Sequence, residues 1–128
     1  MKIKNLLFAL SLFAGATAFA QAPEIFNYQA VVRDANNTLI TNSTIGVKIS
    51  ILQGSSSGNI VYSETQNPNT NLNGLFNVEI GAGTVGAGDI SQIDWVANSY
   101  FIKTEIDLAG GTNYTPALAR LLPSEYYL

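Results

Sequence analysis

Two pairs of carboxylates invite a chemical reading: Glu105 with Asp107, two residues apart, and Asp89 with Asp94, on either side of an expected helical turn. Glycoside hydrolysis needs two carboxyls facing each other across a cleft, roughly 5–9.5 Å apart, one of them raised in pKa by burial. Neighbours on one strand face point the same way, so Glu105 and Asp107 make no cleft and read as solvated surface. Asp89, three residues before Gln92, reads as the start of a capping box. Histidine and cysteine are both absent. Their absence removes the commonest general base, the commonest ligands for zinc or copper, any thiolate metal site and any disulfide framework. The expectation is a protein that is not an enzyme, with no catalytic residue, cofactor or metal.

Oxygen ligands and aromatic rings leave two further candidates. Asp34, Asn36 and the Asn37 carbonyl could serve a hard cation such as calcium, but the D-x-N-N spacing lacks the further carboxylates of an EF-hand loop, and a plain Asx turn suits it better. Trp95, Tyr100, Phe101 and Tyr114 concentrate the rings on which a glycan could stack, set against a core role, since a lone Trp in a small domain is more often buried. The Gly-rich stretch 81–88 lacks the Lys and βαβ setting of a phosphate loop and reads as a mobile connection. Asn36, Asn42 and Asn113 each begin an N-x-S/T triplet, read as chance matches in an Asn-rich chain.

The elements that must position these residues follow a period of two. Phe26, Tyr28, Ala30 and Val32 alternate with polar residues, and Asp34 to Asn37 then turns the chain. Ile45, Val47, Ile49 and Ile51 give the cleanest strand, and Gly54 to Asn59 is a hairpin loop into Ile60 to Gln66. Asn73-Gly74 marks a turn before Phe76, Val78 and Ile80. Residues 90–95 form one short helical turn, with Ile93 and Trp95 plugging an end of the core. Tyr100 to Leu108 is a further strand, followed by the Gly110-Gly111 turn toward Thr112 to Thr115. Five or six strands with no helical periodicity predict an all-β fold, an antiparallel β-sandwich of the immunoglobulin/transthyretin-like kind.

The chain has 128 residues, and its first 20 read as a signal peptide: Lys2 and Lys4, the apolar run Leu6 to Phe13, and the A-x-A site Ala18-Phe19-Ala20 before Gln21. Cleavage at Ala20/Gln21 would place the product outside the cell, on the outer cell surface or in the periplasm, with no transmembrane segment. Beyond residue 20, four basic residues stand against nine acidic ones, a net charge of about −5 with no basic cluster, which excludes nucleic acid as a partner. Charged residues make up 12% of the chain, about half the usual share. Neutral polar groups therefore solvate the surface.

Two stretches carry a family resemblance. Pro23 to Asp34 (PEIFNYQAVVRD) and the run from Asp94-Trp95 through Tyr100 to Asp107, with Gly110-Gly111-Thr112-Asn113-Tyr114 after it, resemble the N-terminal β-sandwich module of large secreted proteins of flavobacterial type from Bacteroidota. In that family the module follows the signal peptide and precedes tail-fibre-like, collagen-like or sorting regions. The resemblance implies a non-catalytic structural or adhesion module, and it supplies no catalytic residues. It covers residues 21–115 and departs at 116–128, where Pro116 and Pro123 make a poor central strand. That tail reads as divergent, truncated or frame-shifted, leaving a sheet edge open to strand pairing with another chain, unless Leu118, Leu121 and Leu122 cover it as a short helix. The expected partners are surface glycans or other envelope proteins. The alternative function is a carbohydrate-binding module acting through Trp95, Tyr100, Phe101 and Tyr114.

Overall fold

A computed structural model describes residues 25–116. The signal-peptide expectation, and all of the 116–128 tail except Pro116, lie outside the described residues. The fold is an antiparallel, all-β sandwich. Its strands are β1 (Phe26–Val31), β2 (Gly46–Gln53), β3 (Asn59–Gln66), β4 (Leu75–Ile80), β5 (Thr84–Gly88), β6 (Tyr100–Asp107) and β7 (Thr115–Pro116). β1 and β4 form one sheet, and the other runs in the order β5-β3-β2-β6-β7.

The alternation in β2 places Val47, Ile49 and Ile51 on the inner face of the larger sheet, and all three are fully buried, as is Ile45 just ahead of them. From the facing sheet, Tyr28, Ala30, Phe76, Val78 and Ile80 complete the core. Register fixes what meets what: Ile49 lies opposite Glu64 on one side and Thr104 on the other. Opposed residues share a face, so a polar side chain flanks Ile49 on each side within the core. Thr104 donates its hydroxyl to the Tyr28 hydroxyl at 3.1 Å, a link between the two sheets. On the outer face Ser50 is also fully buried, and its hydroxyl is the one buried side-chain oxygen among the described residues with no hydrogen-bond partner.

Two expectations change here. Thr84–Gly88 is not a mobile connection but strand β5, because β3 offers it an edge whose hydrogen bonds override the weak strand preference of Gly and Ala. Its pairing with β3 slips between Ser63 and Glu64, leaving Gly86 without an opposite residue, a β-bulge. The strands therefore number seven among the described residues, not five or six. The helical turn is also shorter than expected: a 3-10 turn covers Ile90–Gln92 only, with Ile90 buried and Ile93 packed against the core. Trp95 is not the plug of the core, since 38% of it is exposed. Pro116 sits in a two-residue strand at the sheet edge, where its missing N–H costs no ladder bond.

Candidate functional site

The carboxylates are placed by the turns they hold. Asp34 Oδ1 accepts from Asn36 N and Thr38 N, both at 2.9 Å, an Asx turn. The Asn37 carbonyl accepts from Arg33 Nη1 at 3.0 Å, so a cation there would compete with a guanidinium. Asp107 is not simply solvated: Oδ1 accepts from Ala109 N at 2.9 Å and Oδ2 from Asn113 N at 3.0 Å, which shapes the β6–β7 loop. Its neighbour Glu105 pairs with Lys103 at 3.3 Å. Among the described residues no group of three or more carboxylates gathers where it could hold a metal.

One carboxylate was not singled out by sequence reasoning. Glu64, fully buried on the inner face of β3, accepts from Tyr62 Oη at 2.6 Å, Gln66 Nε2 at 2.6 Å and Gly81 N at 2.7 Å. The i, i+2, i+4 spacing of Tyr62, Glu64 and Gln66 was the available signal; the Gly81 contact, 17 residues away, was not visible. Burial, first, and then the adjacent Glu64 carboxylate raise the Tyr62 phenol well above its ordinary value.

The four aromatic candidates do not form a platform. Tyr100 is buried, and its hydroxyl donates to the Asp94 carbonyl at 2.8 Å. Trp95 meets Tyr100 edge-on, centroids 5.1 Å apart and planes at 65°, and meets Phe26 at 6.2 Å and 87°. Phe101, opposite Leu52, lies on the outer face of β6, and Tyr114 sits beside Gly46 at the far end of that strand. Adjacent strand residues point to opposite faces, so Tyr100 and Phe101 cannot serve one flat surface.

What the structure does bring together lies at the Tyr100 end of the larger sheet. Gly88, at φ +71°, approaches the Val61 carbonyl so closely that any Cβ would collide with it, and this seats Asp89 against β3. Asp89 Oδ1 then accepts from Ser91 N at 2.9 Å and Ser91 Oγ at 2.6 Å, which caps the 3-10 turn. The other arm of a capping box is missing: Gln92 reaches only Ser91 Oγ, at 3.4 Å. The two Ser91 bonds hold the Asp89 carboxyl below its ordinary value. A second turn follows, with Val96 N donating to Asp94 Oδ1 at 3.2 Å and Ala97 N to the Asp94 carbonyl at 3.2 Å. Gly54 N donates to the Ser99 carbonyl at 2.8 Å, tying the end of β2 to this loop.

Between these turns lies an open dish of about 430 Å³. Val61, Ile93, Ala97 and Tyr100 supply apolar lining, and Gln53, Asn98 and the two aspartates supply polar groups. No basic residue lines it.

Sheet order, core and rim together define a small antiparallel β-sandwich domain with a polar dish at one end. The chain belongs to the family described as a domain of unknown function, DUF8740, whose model matches residues 27–120. No curated protein and no solved structure matches it.

Proposed function

We propose that the chain is a non-catalytic module, exported to the cell surface or exterior, that serves structure or adhesion. One observation carries the reading: of the seven carboxylates in the described residues, all but Glu79 hold a partner within the fold. Groups that would be acids or bases in an enzyme are here turn caps, an ion pair and a core acceptor. The leader-like first 20 residues and the resemblance to the N-terminal module of secreted Bacteroidota proteins support export, and the low charge content suits an extracellular scaffold.

The test is the fate of the full chain in a flavobacterial host. Fractionation, mass spectrometry of the product and protease treatment of intact cells are expected to find a chain beginning at Gln21 and accessible from outside. An uncleaved chain in the cytosol would overturn the proposal.

A further inference from the structure

We propose that the dish bounded by Asp89, Asp94 and Asn98 binds a neutral saccharide. The inference rests on the adhesion reading and deepens it by naming the chemistry of the contact, and its geometry stands apart from the aromatic platform weighed as the alternative from sequence.

The volume, about 430 Å³, lies within the range of roughly 300–1,000 Å³ typical of small-ligand clefts. The polar groups around it are planar and only partly engaged. Asp89 and Asp94 each commit Oδ1 to a turn, and the Oδ2 of each has no hydrogen-bond partner within the fold. The side-chain amides of Gln53 and Asn98 likewise have none. Carboxylates accept from hydroxyls, and amides both donate and accept, so this set matches a ligand that carries many hydroxyl groups. The turns fix the aspartates before anything binds, which lowers the ordering cost of recognition.

The lining also selects. Ile93 and Ala97 suit the C–H face of a pyranose ring. With two carboxylates and no basic residue at the dish, a sulfated, phosphorylated or carboxylated ligand would meet like charge and no counter-charge. A calcium ion takes six or more oxygen ligands and gains nothing from an apolar floor.

The chain's single Trp provides a readout, because Trp95 packs edge-on against Tyr100 at 5.1 Å. The mature full-length chain would be titrated with the trisaccharides of glucose, mannose, xylose, galactose and N-acetylglucosamine, with sialyllactose and heparin fragments, and with calcium chloride alone. Trp95 emission and isothermal titration calorimetry would be followed. The expected result is binding of at least one neutral trisaccharide, with a Kd of about 1 mM or tighter, and a change in Trp95 emission. In Gln53→Ala/Asn98→Ala, whose side chains hold nothing in the fold, affinity should fall by about 10-fold or more. Asn77→Ala, on β4 in the other sheet, should bind as the parent does.

Binding restricted to acidic glycans, a response to calcium chloride alone, retained affinity in the double variant, or no neutral ligand at all would each overturn the site. A surface-exposed chain that binds no saccharide would refute this inference and leave the proposed function standing. A cytosolic chain would refute the proposed function whatever the titrations return.

Discussion

Glu64 and the pair Asp89 and Asp94 are the same chemistry in two settings, and the contrast separates architecture from recognition. Glu64 lies between the sheets, fully buried, with a phenol, an amide and a backbone N–H directed at its two oxygens. At the rim each aspartate holds its turn with one oxygen and leaves the other facing outward. A buried carboxylate must have its lone pairs satisfied, because water cannot reach them. A carboxylate at the rim is under no such demand. The filled oxygens hold the fold, and the unfilled one at each rim aspartate is left available for the proposed ligand.

The comparison breaks first at Glu64. Glu64→Ala would take the acceptor from the buried Tyr62 Oη and from Gly81 N, leaving Gln66 Nε2 only its bond to the Glu79 carbonyl, and a loss of about 3–5 kcal/mol is expected in urea unfolding. That is a large share of the roughly 5–15 kcal/mol available to a domain of this size. A loss below about 1 kcal/mol would show that Glu64 is not the anchor described.

Alkaline titration sharpens the same contrast. Tyr62 ionises in the unfolded chain near its ordinary value of 10.0 but holds its proton in the fold. Its contribution is complete below pH 10.0 and is lost as pH rises above that value, since only the unfolded state then gains by releasing a proton. Tyr62→Phe should flatten the fall in stability above pH 10.0 while lowering stability at neutral pH, both read from unfolding midpoints across pH.

A smaller effect is expected on the outer face. Ser50 has a fully buried hydroxyl without a partner, so Ser50→Ala should be neutral or stabilising by up to about 1 kcal/mol. A clear loss of stability would mean that the hydroxyl has a partner in solution.

The smallest effect belongs to the rim. The Asp89 carboxyl sits below its ordinary value of 3.8 because Ser91 bonds its ionised form. Its cap is therefore complete above pH 3.8 and is lost as pH falls through the lowered value. Amide exchange at Ser91 should quicken there with little change in global stability. Simultaneous global unfolding would place Asp89 with Glu64 rather than apart from it.

The sequence displayed the parts of this molecule whose cause is local. Alternation in Ile45, Val47, Ile49 and Ile51 and from Tyr100 to Ile106 marked strands that pack on the core, whereas Leu108, read as the end of the second, lies beyond β6 and is exposed. Asp34 and Asp89 announced their turns because their partners lie two to four residues away. Elements with remote causes were illegible. β5 is a strand because β3 stands beside it, not because Thr-Val-Gly-Ala-Gly prefers extension. Glu64 looked like any polar strand residue until Gly81 returned to it across the fold. The dish was hidden for the same reason: Gln53 and Asn98 lie 45 positions apart and meet only because β2 and β6 are paired. The concentration of aromatics in the sequence did not display their separation, since Tyr100 and Phe101 are neighbours in the chain and back to back in the sheet.

The bulge at Gly86 has a further consequence. Strand β5 is an uncharged outer edge, exposed along its whole length, the kind of border on which copies can pair side by side and grow into fibrils. One unmatched residue in the middle of five bends that border and breaks its regular spacing of donors and acceptors. Copies brought close together then remain separate molecules.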